Sequence, residues 1–356
     1  MTTTPLRHSR NPLLTASDVS YPCSLLFNAG VVKYQGKYVM VFRNDYGARS
    51  GEEYQRRLEA GEKPFVGTNL GIAYSEDGVK WSVQSEPCID LAKARKVMAP
   101  MMDNPEANLW RFYDPRLTVL DGKVYMCFAV DTEQGVRGGV AITEDFDRWE
   151  ILSISVPDNR NMVLFPEKIG GRYARFERPV NAFGGNFLTG SQAQMWQSFS
   201  PDLRHWGDSR FVLNSDRLGW ANDKMGPGAP PIRTEKGWLT AFHAVTRDDT
   251  RGKNGWEGQW PKIYRAGLML MDLERPWKII GMAEEPLLSP ETWYETGEDV
   301  PADSDFEGFR NHVIFPGGMI LEDDGEVKIY YGAADTVECL ATAHVDDLLA
   351  LCVPVG

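Results

Sequence analysis

Apolar and polar residues alternate in short runs along most of the chain, and glycine-containing turns separate the runs. Period-2 alternation of this kind predicts half-buried β-strands. Pairs of such strands recur as AGVVKYQGKYVMVFRND (29–45), DPRLTVLDGKVYMCFAVD (114–131) and MVLFPEKIGGRYARFERP (162–179). They return as APPIRTEKGWLTAFHAV (229–245) and HVIFPGGMILEDDGEVKIYYGAAD (312–335). A further strand follows each pair and leads into a second signature. This is YSEDGVKW ending at Trp81, TEDFDRW at Trp149, SPDLRHW at Trp206 and MDLERPW at Trp277; the last copy, HVDDLL (344–349), has no Trp. The Asp-to-Trp turn is expected to pin the outer strands of each unit. Helical periodicity is scarce and predicts short helices near 50–60 (SGEEYQRRLEA) and 344–351.

Five sheet units at a spacing of about 70 residues predict an all-β fold, a five-bladed β-propeller. An open sandwich gives no reason for five matched copies. No linker splits the chain, so residues 1–356 read as one domain with a short N-terminal extension, 1–20. In a propeller the innermost strand of each blade lines a central channel. Asp114 would then open its strand at one mouth, with Pro115 holding it extended. Alternation places Asp114, Arg116 and Thr118 on one face and Pro115, Leu117 and Val119 on the other.

The totals narrow the function. The net charge of −12 argues against nucleic acid and against a basic membrane-binding face. The five cysteines are scattered, with no CxxC or Cys/His cluster, so neither a disulfide framework nor a structural metal site is expected. This suits a reducing cytoplasm. The opening MTTTPLRHSRNPLL lacks the apolar core of a signal peptide, and no apolar run reaches the roughly 18 residues of a spanning helix. Eleven tryptophans suit sugar rings, but they also fill β-cores, and composition alone favours the core.

Polar residues fall at matching places in the five copies. Blade one offers Asn28, Arg43 and Asp45, and blade two Asp114 and Arg116. Blade three offers Arg160 and Arg178, blade four Lys224 and His243, and blade five Asn311, His312 and Asp335. Each alone has an ordinary structural reading: Asp45 as a turn residue, Arg178 as a surface ion pair, His243 as a satisfied core histidine. A propeller makes them converge.

A carboxylate among sugar-binding groups points to glycosidic chemistry. Inverting hydrolysis uses two carboxylates, an acid and a base that activates water. Phosphorolysis dispenses with the base, because phosphate is already an anion, but it needs forked cations to hold that anion in line. Arg160, Arg178 and His243 are of the right types, and Asp114 would be the acid. Its proton would be favoured by burial and by nearby Asp45 or Asp335, so Arg116 is expected to pair elsewhere. The scheme requires no metal or organic cofactor.

Taken in order, LFNAGVV, VFRND, YDPRL, NRNMVLFPEKIGGRYARFERP, SPDLRHWG, KMGPGAPPI, GWLTAFH, VIFPGG and IYYGAADT make the chain resemble glycoside hydrolase family 130 from about Asn11 onward. That family holds β-mannoside phosphorylases and related β-mannosidases on five-bladed propellers. The resemblance implies that Asp114 is the catalytic acid, acting through the 3-hydroxyl of the mannosyl unit. It implies a mannosyl site of Asn28, Arg43, Asp45 and Asp335, with Lys224 and Tyr113 beside it. It implies a phosphate site of Arg160, Arg178 and His243. The partners would be a β-mannoside oligosaccharide and phosphate, and a homo-oligomer fits family habit.

Two segments are longer than in compact members: 46–68 and 247–265. They are expected either to wall the leaving-sugar site, with Trp256 and Trp260 as stacking faces and Arg49, Arg56 and Arg57 as partners for an acidic sugar, or to form a solvated helix face or an oligomer contact. The leading expectation is thus an inverting β-mannoside phosphorylase releasing α-mannose 1-phosphate. The alternatives are an inverting β-mannosidase, with Glu167, Glu177 or Asp335 as base, and a carbohydrate-binding propeller without catalysis.

Overall fold

The computed structural model describes residues 5–180, 193–252 and 254–355. They form five antiparallel sheets in ring order, the five-bladed propeller that the repeats predict. Blade one runs from the channel outward as Leu25–Tyr34, Lys37–Gly47, Phe65–Ser75 and Ser82–Val83. Blade two is Leu109–Leu120, Lys123–Thr132, Gly135–Thr143 and Trp149–Ile154. Blade three is Asn159–Leu164, Tyr173–Pro179, Met195–Ser200 and Gly207–Leu213. In blade four the innermost place is split between Met225–Pro227 and Ile232–Arg233, both paired to Trp238–Arg247. Lys262–Met271 and Ile279–Met282 complete that blade, and Val353–Pro354 adds to its edge. Blade five is Ile314–Leu321, Glu326–Ala333 and Val337–His344.

The outer strand of blade five comes from the other end of the chain. Leu6–Arg7 pairs with Val337–His344, with Leu6 opposite Thr342. The segment read as an extension thus supplies a blade strand at Leu6–Arg7, and residues 1–4 lie outside the described residues. Arg7 fixes it by donating from Nε to Oε1 of the buried Glu295 at 2.8 Å.

The core lies in the seams between blades. Val41 and Leu70 of blade one pack with Leu117 and Met126 of blade two, and Phe176 of blade three packs with Phe242 of blade four. Leu239 and Leu268 meet Ile314 and Ile329 across the next seam, and Met40 meets Tyr330 across the seam that closes the ring. Each such side chain contributes about 1.5–3 kcal/mol by leaving water. The Asp-to-Trp signature is the turn between third and fourth strands. Asp77 Oδ1 accepts from the amides of Val79 and Lys80, and Asp202 Oδ1 from those of Arg204 and His205. Both expected helices form, at Gly51–Glu59 and Val345–Leu351. Leu91–Met98 is a further helix, capped by Asp90 and burying Ala94 and Met98.

The innermost strands are interrupted at matching points. Their registers shift between Phe27 and Gly30, Tyr113 and Arg116, Arg160 and Val163, and Pro316 and Gly318. In the first three bulges one residue is left-handed: Asn28 at φ 55°, Asp114 at φ 51° and Asn161 at φ 55°. A bulge re-aims its side chain out of the strand's alternation. Two expectations fail here. Asp114 sits inside its strand, not at its opening, and it is not extended. The bulge and the bonds to its carboxylate outweigh the local preference of a residue before proline.

Below the bulges the channel is closed. Arg116 is buried and donates to the carbonyls of Gly228 at 2.8 Å, Asn28 at 3.2 Å, Pro115 at 2.7 Å and Pro316 at 3.4 Å. One guanidinium thus ties four blades together and, as expected, makes no direct bond to Asp114. The backbones touch at this level: a Cβ on Gly317 would lie 1.9 Å from the Ala29 carbonyl oxygen. Beyond the plug is a separate, largely apolar cavity of about 290 Å³.

Candidate active site

A polar cavity of about 360 Å³ lies on the bulge side of the plug. Asn28, Arg43, Tyr113, Asp114, Arg160, Arg178, Lys224 and Asp335 all line it, from all five blades. The convergence read from the sequence is therefore met by these eight residues. Asp45 and His243 stand one layer behind.

The Asp114 carboxylate is held through one oxygen. Oδ1 accepts from Asn28 Nδ2 at 3.2 Å and from Arg43 Nη1 at 3.3 Å. Burial pushes its pKa up, but Arg43, Arg116, Asn28 and Arg160 together outweigh burial and hold it below the usual carboxylate range. The expectation of a raised value is thus overturned for the ligand-free site, because the surrounding cations dominate. Asp335 behaves oppositely: burial and the Asp114 charge raise it against Arg310 and Arg43. Asp45 faces Arg43 as a fork, Nη2 to Oδ2 at 2.6 Å and Nε to Oδ1 at 3.0 Å, and also accepts from Thr68 at 2.6 Å. It orients Arg43 and does not line the cavity.

A second group is cationic and lacks carboxylates. Among the described residues no Asp or Glu forms an ion pair with Arg160, Arg178 or Lys224. Arg160 donates to Tyr113 Oη at 3.3 Å, and the buried Nε atoms of Arg160 and Arg178 have no partner. Burial, with the Arg160 charge, pushes Arg178 down to about 9. Burial, with Arg178, Lys262 and Arg160, drives Lys224 well below its ordinary value. Lys224 therefore stands electrostatically with the arginines. His243 is wholly buried behind Arg178, with Nδ1 3.0 Å from the Pro227 carbonyl and Nε2 3.1 Å from Arg178 Nη1. The carbonyl can only accept, so Nδ1 carries the proton and Nε2 accepts from Arg178. Burial and the nearby cations keep the ring neutral, its pKa well below the ordinary value.

The structure adds residues that the sequence reading passed over. Arg111, Asp131, Asn161, Lys262, Tyr264 and Arg310 also line the cavity. Asn161 is the third member of the left-handed bulge series, and its buried Oδ1 has no partner. Its place was marked in RNMV, which aligns with FNAG and YDPR. Arg310 donates to Asp335 at 3.2 Å, grips Glu257 at 2.7 and 3.1 Å, and lies 4.5 Å over the Trp260 ring.

The two long segments part company. Trp260 and Lys262 of 247–265 line the cavity, whereas Trp256 is 2% exposed and packs with Phe27, Phe65 and Phe309. Lys253 lies outside the described residues. No residue of 46–68 lines the cavity; Arg57 pairs with Glu53 at 2.7 Å within the helix. That helix braces the Trp256 cluster through Tyr54, so its wall role and its Arg49, Arg56 and Arg57 sugar contacts are not borne out. Glu167 pairs with Arg233 on the surface, and Glu177 is buried against Arg175 and Asn159. Neither reaches the cavity.

A polar cavity on a five-bladed ring, lined by the carboxylates Asp114, Asp131 and Asp335 beside Arg160, Arg178 and Lys224, fits a polyhydroxylated ligand together with an anion. The sequence matches the glycoside hydrolase family 130, described as beta-1,4-mannooligosaccharide phosphorylase, over residues 18–353. The chain belongs to this family. It is 32% identical to the beta-1,4-mannooligosaccharide phosphorylase of Ruminococcus albus, over 96% of this chain and 89% of that protein. It is 28% identical to a 1,2-beta-oligomannan phosphorylase of a Thermoanaerobacter species, over 94% and 95%. The fold matches the beta-1,2-mannobiose phosphorylase of Listeria innocua in complex with beta-1,2-mannobiose, with a TM-score of 0.76, 24% identity and coverage of 98% and 99%. No described helix is long and apolar enough to cross a membrane.

Proposed function

We propose that the protein is an inverting phosphorylase that cleaves a β-mannosyl linkage with inorganic phosphate. One observation carries this reading: Arg160, Arg178 and Lys224 converge on the cavity next to Asp114, and among the described residues no carboxylate is in ion-pair contact with them. Buried unpaired cations are costly. A site that keeps three of them is built for an anion, and phosphate supplies both the charge and the acceptor oxygens. Names of the relatives point the same way.

In this reading Asn28, Arg43 and Asp335 hold the mannosyl unit, with Asp45 behind Arg43. His243 orients Arg178 rather than touching phosphate. Phosphate attacks the anomeric carbon from the face opposite the leaving oxygen. The new carbon–oxygen bond to phosphate forms as the glycosidic bond breaks, which gives α-mannose 1-phosphate. The leaving oxygen takes a proton supplied by Asp114, routed through the sugar 3-hydroxyl as the family resemblance implies. Trp260 and Lys262 wall the leaving sugar. Of the alternative base candidates, Glu167 and Glu177 are out of reach, while Asp335 lines the cavity and is read here as a ligand of the mannosyl unit.

A phosphate titration tests the reading. The purified protein is incubated with β-1,4- and β-1,2-linked mannosides, with and without phosphate, and α-mannose 1-phosphate and free mannose are measured. The sugar phosphate is expected only with phosphate. Free mannose without phosphate would overturn the assignment of the cations.

A further inference from the structure

The bulge that presents Asn28 to Asp114 leaves a backbone donor without a ladder partner. Between Phe27 and Gly30 the register of blade one slips, so the Ala29 amide falls outside the strand pairing. A buried amide left alone is costly, and native structures give such groups a partner. Here the partner comes from the neighbouring blade. Glu338, on the third strand of blade five, is wholly buried and accepts from the Ala29 amide through Oε2 at 3.2 Å. Directly opposite Glu338 in its sheet is Gly332. A Cβ on Gly332 would lie 2.8 Å from the Asn28 amide nitrogen and 2.7 Å from Asn28 Oδ1. The missing side chain makes room for the bulge, and the long one secures it. The backbone of Glu338 is pinned in turn, because its amide and carbonyl pair with Leu14 and Leu13.

We infer that Glu338 is a positioning residue for the catalytic carboxylate: by holding the Ala29 amide it fixes the bulge from which Asn28 bonds Asp114. This rests on the reading of Asp114 as the acid. The alternative use of a buried glutamate, as a plain space-filler, would not need its oxygen.

The test compares full-length Glu338→Leu, Glu338→Gln and Asp114→Asn proteins with the parent on β-1,4-mannobiose and β-1,2-mannobiose plus phosphate. Leaving the buried Ala29 amide without its acceptor should lower kcat/KM for the disaccharide about 10- to 100-fold in Glu338→Leu. KM for phosphate should stay within about twofold, because the cation group does not rest on this bulge. Glu338→Gln keeps an acceptor oxygen and should recover activity to within about threefold of the parent. Hydrogen exchange over Leu26–Gly30 should quicken in Glu338→Leu and not in Glu338→Gln. Should Glu338→Leu fail to fold, Glu338→Asp, one methylene too short to reach, carries the same expectations. The inference is overturned if Gln fails as badly as Leu, if the phosphate KM rises in step, or if exchange is unchanged. Full turnover by Asp114→Asn would overturn the reading of the acid separately, and the exchange measurement would still decide the role of Glu338.

Discussion

Replacing Arg178 with methionine should make the empty protein no less stable while destroying its response to phosphate. The guanidinium is 2% exposed, close to Arg160 and without a carboxylate. It stays charged at neutral pH, and burial with the Arg160 charge pushes it down to about 9, so the empty site tolerates that charge poorly. A fall of that size from the ordinary arginine range corresponds to roughly 5 kcal/mol. Against this, His243 Nε2 loses its donor, at about 1–3 kcal/mol. Methionine keeps most of the volume, and buried charges exchanged for apolar groups often stabilise by about 1–4 kcal/mol. The balance favours the variant in the absence of ligand. Phosphate reverses the order. At a hundred times its Kd it stabilises the parent by about 2.7 kcal/mol. Two lost charge-assisted bonds of about 1.5 kcal/mol each would weaken phosphate binding about a hundredfold in the variant. Melting curves in chloride and in phosphate at equal ionic strength read both effects. The variant should melt at or above the parent in chloride and fail to rise in phosphate. A lower Tm in chloride, or an intact rise in phosphate, would refute the reasoning.

Four further outcomes are expected. Asp114→Asn should lower turnover about 10²–10⁴-fold, as measured by α-mannose 1-phosphate release, with the fold unchanged. Because Asp114 is ionised in the empty site, mannoside binding at neutral pH should take up a proton. Calorimetry in buffers of different ionisation enthalpy would show this, and its absence would count against Asp114 as the acid. Burial raises Glu338 to about 8 in the folded state, against the hydrogen bond from Ala29 and the Arg116 charge. The folded form therefore holds a proton that the unfolded chain has shed, so stability falls with rising pH between about 4.5 and 8, by up to about 1.4 kcal/mol per unit. Glu338→Gln should flatten that slope in urea melts across the range. Trp260→Ala should raise KM for the disaccharide more than KM for phosphate, and equal increases would place Trp260 elsewhere than beside the leaving sugar.

Much of the architecture was legible because it repeats. Five copies of a Gly-turn strand pair and four Asp-to-Trp turns leave few folds other than a five-bladed ring. The chemistry was legible for the same reason, since FNAG, YDPR and RNMV mark one place in three blades. Strict alternation failed at those points, because a bulge rotates the side chains that follow it. Asp114 is re-aimed into the cavity, away from the face that Arg116 and Thr118 keep, and Asn161 is overshadowed by the more conspicuous Arg160. Arg310 and Asp131 lie on a loop and at a strand end, where no periodicity marks their direction. The helix at Leu91–Met98 was marked by Asp90 followed by apolar Leu91, Ala94 and Met98, a cap and face hidden among strand signals. Trp256 and Trp260 are four residues apart and look alike in sequence, yet only packing decides that one fills a core and the other faces a cavity.

The Arg116 plug has a consequence for traffic. A propeller channel open at both ends would let sugar and phosphate arrive and depart by separate doors. Here the guanidinium and the touching backbones around it turn the channel into a cul-de-sac, so everything uses one entrance. Whatever lies deeper must enter first and leave last. Initial-rate and product-inhibition patterns should therefore show a compulsory sequence of binding and release, with the outermost sugar as the last in and the first out.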